Sequence, residues 1–304
     1  MKKVIEYISS EIGIKNKILL EKDIILQILL HDISQNNFLI DNLVFKGGTC
    51  LTKCYLGYYR FSEDLDFSWI NQEEFNGKSQ KEIRRLLSDK INKIGDVLTV
   101  ICKKHKLEFK LDKSDTKYIE LGGSNKFTTF KIWYKSSLTD NEQFIKIQIN
   151  FLELFKFKFK SIKPHTLIKD INVKDFEFLF PEFSHLLNDF KIQCYDTREI
   201  FCEKFRAILT RKGVKARDFI DIFLLYKREK IDFMLLEKNI IEKITFMLRY
   251  DKYVQNLKGF KLDKFVLGEE EKLLLTPIEE GLEEYLHKVH NFLNKIVKRL
   301  SSNN

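Results

Sequence analysis

The stretch from Arg60 to Ser68, R-F-S-E-D-L-D-F-S, constrains the fold more than any other part of the sequence. Acidic and apolar residues alternate in it with a period of two, which predicts a β-strand with one face in a core. Asp64 and Asp66 therefore leave one face of the strand, while Leu65 and Phe67 point to the other. Two carboxylates on one face repel each other, so burying that face is costly unless a cation neutralises them.

The segment before this strand predicts a second strand that enters a tight turn. Leu43-Val44-Phe45 is a short apolar run that stops at Gly47-Gly48, and a helix through Leu51 should follow. Backbone N–H groups at such a helix start attract phosphate, and Thr49 adds a hydroxyl there. A tight turn with Thr49 as the N-cap explains the same residues without a ligand, so the motif alone leaves both interpretations open.

The D-x-D pair is more informative about chemistry. Asp64 and Asp66 supply hard oxygen ligands, which suit Mg²⁺ because that ion usually keeps water and substrate phosphates in its shell. An exposed acidic strand would show the same two residues. Leu65 and Phe67 pin the opposite face inward, which favours the metal-site hypothesis.

The rest of the first half predicts a mixed α/β domain. Helical periodicity, strand alternation or turn residues mark the following segments: helices over 1 to about 40 and about 80 to 105, a hairpin at Gly122-Gly123-Ser124-Asn125 between Tyr118-Ile119 and Phe127 to Tyr134, and a strand over Phe144 to Phe151. Between Phe155 and Lys160 three aromatics alternate with three lysines. We predict a basic edge strand there, and a phosphate-contacting ridge is the alternative.

The second half has a different texture, with long helical periods after Pro164 and Pro181. Asp196-Thr197-Arg198-Glu199 has the form of a capped helix start, and Gly213 suits the end of that helix. Further helices are predicted from Arg217 to Lys230 and over about 231 to 300. We therefore predict an α+β fold with a mixed-sheet domain over 1–165 and an all-helical domain over 166–304.

Three charged residues of the second half are candidates for a site. Lys204 lies one turn from Phe201 and Ile208, so its stem can follow apolar surface while its ammonium reaches into a cleft. Asp218 and Asp221 are three residues apart and share a helix face. Solvated helix charges would look the same when taken alone.

Composition bounds the class of protein and its partners. Hydrophobic residues make up 44% of the chain, which excludes a disordered tail. Lysine and arginine number 53 against 44 acidic residues, and the resulting charge of +9 indicates polyanionic partners or, alternatively, the drift of an A+T-rich genome.

Location and cysteine chemistry follow from what the sequence lacks. The 5 cysteines are scattered without a CxxC pair, so we expect neither a disulfide framework nor a zinc ribbon. No apolar run approaches the roughly 18 residues of a membrane span. We expect a protein of the reducing cytoplasm that has no membrane partner.

Three motifs occur in the order found in one known family. G-G-T-x-L-x-K spans Gly47 to Lys53, R-x-S-x-D-L-D-F begins at Arg60, and E-K-x-x-A-x-x-x-R with R-D-x-x-D runs from Glu203 to Asp221. Together they resemble the AbiEii/AbiGii nucleotidyltransferase toxins of the DNA polymerase β-like nucleotidyltransferase superfamily. The resemblance implies a mixed-sheet nucleotidyltransferase domain with an N-terminal helical cap, followed by a helical domain that completes the active-site cleft.

The resemblance also implies roles for individual residues. Asp64 and Asp66 would hold Mg²⁺ or Mn²⁺, Lys204 would neutralise phosphate charge, and Asp218 would complete the site. The residues implied in nucleotide binding are Gly47, Gly48, Thr49, Lys53, Lys204 and Arg217. The relative roles of Asp218 and Asp221 stay open.

The implied activity is metal-dependent transfer of a nucleotide from an NTP to an RNA acceptor, most directly the 3′ end of tRNA. The enzyme would be the toxin of a toxin-antitoxin or abortive-infection system, with a cognate antitoxin as a partner. A protein hydroxyl is an alternative acceptor, because the sequence has no clear RNA-recognition motif. A decayed nucleotide- or RNA-binding module is a further alternative, because Gln148 and Asn150 stand where the superfamily often has a third carboxylate.

Overall fold

The computed structural model describes residues 1–261 and 267–301 and divides into two compact units. The first unit comprises Met1–Glu153 and Phe159–Cys194, and the second comprises Leu154–Lys158 and the chain from Tyr195 onward. The division falls at 194/195, whereas we placed the boundary at 165. The difference arises because Lys160–Ile162 and Ile192–Cys194 form two further strands of the sheet in the first unit.

A seven-stranded mixed sheet forms the centre of the first unit. Its strands are β1 Leu43–Lys46, β2 Asp64–Trp69, β3 Ile119–Gly122, β4 Phe127–Lys135, β5 Glu142–Asn150, β6 Lys160–Ile162 and β7 Ile192–Cys194. Their spatial order is β3-β4-β5-β2-β1-β7-β6. The pairs β2–β5 and β1–β7 are parallel, and the other neighbours are antiparallel. This sheet confirms the predicted mixed α+β class.

Local sequence signals account for the strands beside the site. Leu65 and Phe67 of β2 are fully buried, as their alternation with the two aspartates predicts, and Phe67 packs on Phe45 of β1 with ring centroids 5.3 Å apart. The predicted hairpin is also present, since β3 and β4 are antiparallel and Ser124 and Asn125 of the turn have positive φ.

The helices of the first unit are α1 Lys2–Ile12, α2 Lys17–Gln35, α3 Asn37–Asn42, α4 Gly47–Leu51, α5 Gln80–Lys104 and α6 Val173–Leu179. Capping residues set two of their starts: Asn16 accepts from the Leu19 N–H at α2, and Ser79 forms a capping box with Glu82 at α5. Helix α4 continues into a π-helical turn over Thr52–Leu56.

The described part of the second unit contains the helices α7 Thr197–Thr210, α8 Ala216–Glu229, α9 Glu237–Leu248, α10 Asp251–Lys258 and α11 Leu282–Ser301. The predicted cap at Asp196 is confirmed, because its Oδ1 accepts from the Arg198 N–H at 2.9 Å. Helix α7 ends at Thr210, so Gly213 lies in the following turn and is not its cap. Residues 262–266 of the predicted helical tail lie outside the described residues.

The predicted edge strand over Phe155 to Lys160 is wrong for residues 155–159, which have no strand structure. The N–H groups of Lys156 and Phe157 both donate to Oε2 of Glu199 at 2.8 Å. These N–H groups are therefore not available for hydrogen bonds to a neighbouring strand. The edge strand, β6, begins at Lys160. No helix within the described ranges is long and apolar enough to cross a membrane.

Asp32, in α2, interacts with three basic side chains of the first unit. Its carboxylate accepts from Lys104 Nζ at 2.8 Å and lies 2.8 Å from Nε2 of His105 and 3.1 Å from Nδ1 of His31. Burial disfavours the ionised form, but these three hydrogen bonds outweigh it and lower the pKa of Asp32 to about 2.

The lowered pKa predicts how the contribution of Asp32 to stability varies with pH. It should be fully present above the ordinary value of 3.8 and lost as the pH falls toward about 2. Asp32→Asn should lower the free energy of unfolding by about 1–3 kcal/mol at about pH 5, and by progressively less at lower pH. Urea denaturation of both proteins between about pH 5 and pH 2 measures this. A difference that stays constant over that range would contradict the assignment.

Candidate active site

The polar face of β2 carries Asp64 and Asp66, both of them half-buried. In the sheet, Asp64 is in register with Lys146 of β5, and Asp66 is in register with Gln148 of β5 and Lys46 of β1. Side chains in register on neighbouring strands leave the same face. The sheet therefore places two carboxylates among two lysines and an amide.

The electrostatics of this face favour a cation beside Asp64. Burial raises the pKa of Asp64 and the neighbouring charge of Asp66 raises it further, while Lys146 and Lys22 act in the opposite direction without cancelling the rise. A raised carboxyl pKa means that the ionised form lacks sufficient compensation. The two aspartates supply hard oxygen donors on one face, so the residues present fit a divalent cation.

Gly47 and Gly48, which we call the glycine turn, are the first two residues of α4, and close contacts with β2 and with the segment that leads into β2 require them to be glycine. Gly47 has φ of +78°, and a Cβ atom there would overlap Oδ2 of Asp66. A Cβ atom at Gly48 would lie 2.5 Å from Nη2 of Arg60. The carboxylate of Asp66 and the guanidinium of Arg60 therefore pack directly on the backbone of the glycine turn.

Thr49 and Lys53 make contacts within the protein. The buried Thr49 hydroxyl donates to the carbonyl of Asp64 and lies 2.7 Å from Ser62 Oγ, which fastens α4 to β2. Lys53 is 2% exposed and forms an ion pair with Asp23 at 2.8 Å. Its ammonium also donates to the Tyr58 hydroxyl, which in turn donates to Asp23 at 2.8 Å. The structure thus gives both side chains positions in the packing of the first unit.

A further carboxylate, Glu153, lies just beyond β5 and was missed by the sequence analysis. Its Oε2 accepts from Asn150 Nδ2 at 3.1 Å and from Lys46 Nζ at 3.3 Å. Lys46 is the residue in register with Asp66, so Glu153 is connected to the same polar face. An acidic residue soon after the alternating strand was the available signal. Gln148, in register with Asp66, brings no carboxylate to that position.

The second unit contains the other predicted residues, in a buried ion cluster between α7 and α8. Lys204 Nζ lies 2.6 Å from Asp218 Oδ1 and 2.6 Å from Asp221 Oδ2, and Arg211 Nη1 lies 3.0 Å from Asp218 Oδ2. Burial opposes ionisation of Asp218, but Lys204 and Arg211 prevail and lower its pKa. We expected the ammonium of Lys204 to reach into a cleft, and instead both aspartates bind it. Arg217 pairs with Glu270 through Nε at 3.4 Å.

Comparison with known proteins decides the family. The family described as "Nucleotidyl transferase AbiEii toxin, Type IV TA system" matches residues 28–288. The chain belongs to the AbiEii nucleotidyltransferase toxin family. The predicted family and enzyme class are thereby confirmed. For this AbiEii protein, membership implies an NTP substrate and a cognate antitoxin, and nucleotidyltransferases of the superfamily generally use a divalent metal.

Two solved structures from Helicobacter pylori are similar to this AbiEii protein. JHP933 is 20% identical, with 90% of this chain and 91% of that chain covered and a TM-score of 0.42. A "putative nucleotidyltransferase" from H. pylori is also 20% identical, with 91% and 95% covered and a TM-score of 0.41. No curated protein matches the chain.

The contact between Gly47 and Asp66 predicts a selective effect of Gly47→Ala. The added methyl should displace the Asp66 carboxylate, and a misplacement of about 1 Å can reduce activity about 100-fold. Gly13→Ala is the matched control, since Gly13 also has positive φ (+70°) but has nothing within 4 Å of a built Cβ. Nucleotide transfer per folded molecule should fall in Gly47→Ala alone. Equal activity of the two variants would contradict this account of the glycine turn.

Proposed function

We propose that this toxin transfers a nucleotide from an NTP to an RNA acceptor, the 3′ end of tRNA, in a reaction that depends on Mg²⁺. The observation that carries the proposal is the Asp64–Asp66 pair, held on one sheet face against the glycine turn in a member of this family. The net charge of +9 supports a polyanionic acceptor.

In this proposal Asp64 and Asp66 hold Mg²⁺, with Mn²⁺ as the substitute ion. The bound ion would neutralise phosphate charge during transfer. Gly47 allows the close packing that fixes Asp66. The Thr49 hydroxyl donates to the backbone carbonyl of Asp64 and so fixes that residue. The guanidinium of Arg60 packs beside Gly48 and donates to the Phe61 carbonyl at 2.9 Å, which fixes the segment that leads into β2.

The chemistry forms a bond from the acceptor hydroxyl oxygen to the α-phosphorus and breaks the bond to pyrophosphate. A base must accept the hydroxyl proton. Gln148 cannot do so, and Asp218 is a weakened base because its cationic neighbours lower its pKa. This observation favours a second candidate function, a nucleotide- or RNA-binding module without turnover.

Incubation with each labelled NTP and total RNA distinguishes these functions. Label should enter tRNA-sized RNA and be lost on RNase treatment, and Asp64→Asn or Asp66→Asn should reduce incorporation at least about 100-fold, because metal-assisted charge stabilisation is worth several kcal/mol. Magnesium removal by a chelator should have the same effect.

Asp140→Asn is the matched control, because Asp140 has an 85% exposed side chain at a turn with φ of +61°, which asparagine tolerates. It should retain full incorporation. Label that resists RNase and migrates with polypeptide would replace the RNA acceptor by a protein hydroxyl. Nucleotide binding with no incorporation from any NTP would instead support the decayed module.

Lys204 needs a test that separates catalysis from folding, because two buried aspartates bind it. Lys243 provides the control: it is also buried in the second unit and lies 2.6 Å from Glu199 and 3.1 Å from Glu203. Replacing either lysine by methionine should cost about 3–5 kcal/mol of stability, since in each case two buried or partly buried carboxylates lose their cation.

We expect the folded fraction of Lys204→Met to lose at least about 100-fold in transfer, because a group that neutralises phosphate charge is removed. The folded fraction of Lys243→Met should retain activity. Expression of the unmodified toxin should arrest growth, and Lys204→Met should relieve the arrest at matched levels of folded protein. Equal specific activities of the two variants would make Lys204 a structural residue.

A further inference from the structure

Three cysteines that are distant in sequence meet in the first unit. Cys50 lies in α4, Cys54 lies in the π-helical turn that follows, and Cys194 is the last residue of β7. Their three Sγ atoms all lie within 4.8 Å of one another. The Sγ atoms of Cys54 and Cys194 are 3.6 Å apart. In the parallel pairing of β1 with β7, Phe45 is in register with Cys194, which brings the Cys194 thiol close to the thiols of Cys50 and Cys54.

The spacing of these sulfurs suits a shared metal ion better than a disulfide. Metal–sulfur bonds of about 2.3 Å in tetrahedral or trigonal geometry place the sulfurs about 3.8–4.0 Å apart. A disulfide needs about 2.05 Å, so Cys54 and Cys194 would have to approach by about 1.5 Å. A disulfide would also leave the Cys50 thiol beside it without a bonding role.

The three thiols differ in burial. Cys50 and Cys194 are 0% exposed, while Cys54 is half-buried. The thiolate is the form of cysteine that binds metals.

We propose that Cys50, Cys54 and Cys194 form a binding site for one thiophilic d¹⁰ cation, Zn²⁺ or Cu⁺. Thiolate ligands select these soft ions, whereas the Asp64–Asp66 oxygens select hard ones. As each sulfur–metal bond forms, the thiol that still carries a proton releases it to solvent. Zn²⁺ would complete a tetrahedral set with one further ligand such as water, whereas Cu⁺ would need only the three sulfurs.

The bound ion connects α4 with β7 and so stabilises α4 together with the glycine turn at its start. Cys50 is adjacent to Thr49, whose hydroxyl holds the carbonyl of Asp64. The site is structural and does not depend on the reaction proposed above. Its ligands, its ion and its tests are separate from those of the carboxylate pair.

Metal titration of the reduced, metal-free full chain tests the site. Zn²⁺ and Cu⁺ are titrated separately against a chromophoric chelator, and Co²⁺ reports thiolate coordination through its charge-transfer absorption. One ion should bind per chain, and Cys54→Ser should weaken binding at least about 100-fold, because a direct ligand is lost. Cys102→Ser and Cys202→Ser are matched controls at buried cysteines outside the cluster and should bind as the unmodified chain does.

Two further measurements keep the test decisive if Cys54→Ser folds poorly. The preferred ion should raise the midpoint of thermal unfolding of the unmodified chain and of Cys102→Ser by several degrees. It should also slow alkylation of Cys54 at least about 10-fold, as read by mass spectrometry.

The opposite results overturn the proposal. These are no stoichiometric binding of either ion, equal weakening in Cys54→Ser and Cys102→Ser, or an alkylation rate of Cys54 that the ions leave unchanged. A Cys54–Cys194 disulfide formed under mild oxidant, in a chain that takes up neither ion, would identify a redox pair instead. None of these outcomes alters the expected nucleotide transfer.

Discussion

The direct packing of Asp66 on the backbone of Gly47 organises the first unit around its candidate site. A side chain at Gly47 would occupy the space of the Asp66 carboxylate, and one at Gly48 would meet Arg60. The next residue, Thr49, bonds the backbone carbonyl of Asp64. Three consecutive residues of one motif therefore contact three residues of the other. The two motifs therefore pack against each other, and the close approach of the glycine turn to β2 and to Arg60 explains why glycine occupies positions 47 and 48.

Compensation of buried charge differs between the two pairs of aspartates. In the second unit Lys204 and Arg211 lower the pKa of Asp218, so that cluster already contains its own cations. On the sheet, burial and Asp66 raise the pKa of Asp64 despite two nearby lysines. Both pairs of aspartates belong to motifs of the same family. An added cation would relieve repulsion only at the sheet pair, because Asp218 already has cationic neighbours.

Local sequence patterns predicted those strands and turns that form from contacts between residues close in sequence. The alternation in β2 and the turn residues between β3 and β4 need no knowledge of distant partners, and both predictions are confirmed. Residues 155–159 alternate as a strand would, but Glu199 takes their N–H groups, and no local pattern encodes that partner. The contact of Glu153 with Lys46 and the three-cysteine cluster also depend on strand order, which determines which distant residues meet.

The adjacent residues Thr49 and Cys50 connect one short helix, α4, to two different sets of potential metal ligands. Thr49 connects α4 to the carboxylate strand, and Cys50 connects it to the thiol of Cys194 in β7. Carboxylate oxygens retain hard ions and thiolate sulfurs retain soft ones, so the two sets of ligands do not compete for the same cation. A soft ion at the cysteines would fix the helix from one side without competing with the hard cation proposed for the aspartates. If the cysteines hold such an ion, stabilisation of the glycine turn is separate from the chemistry proposed beside it.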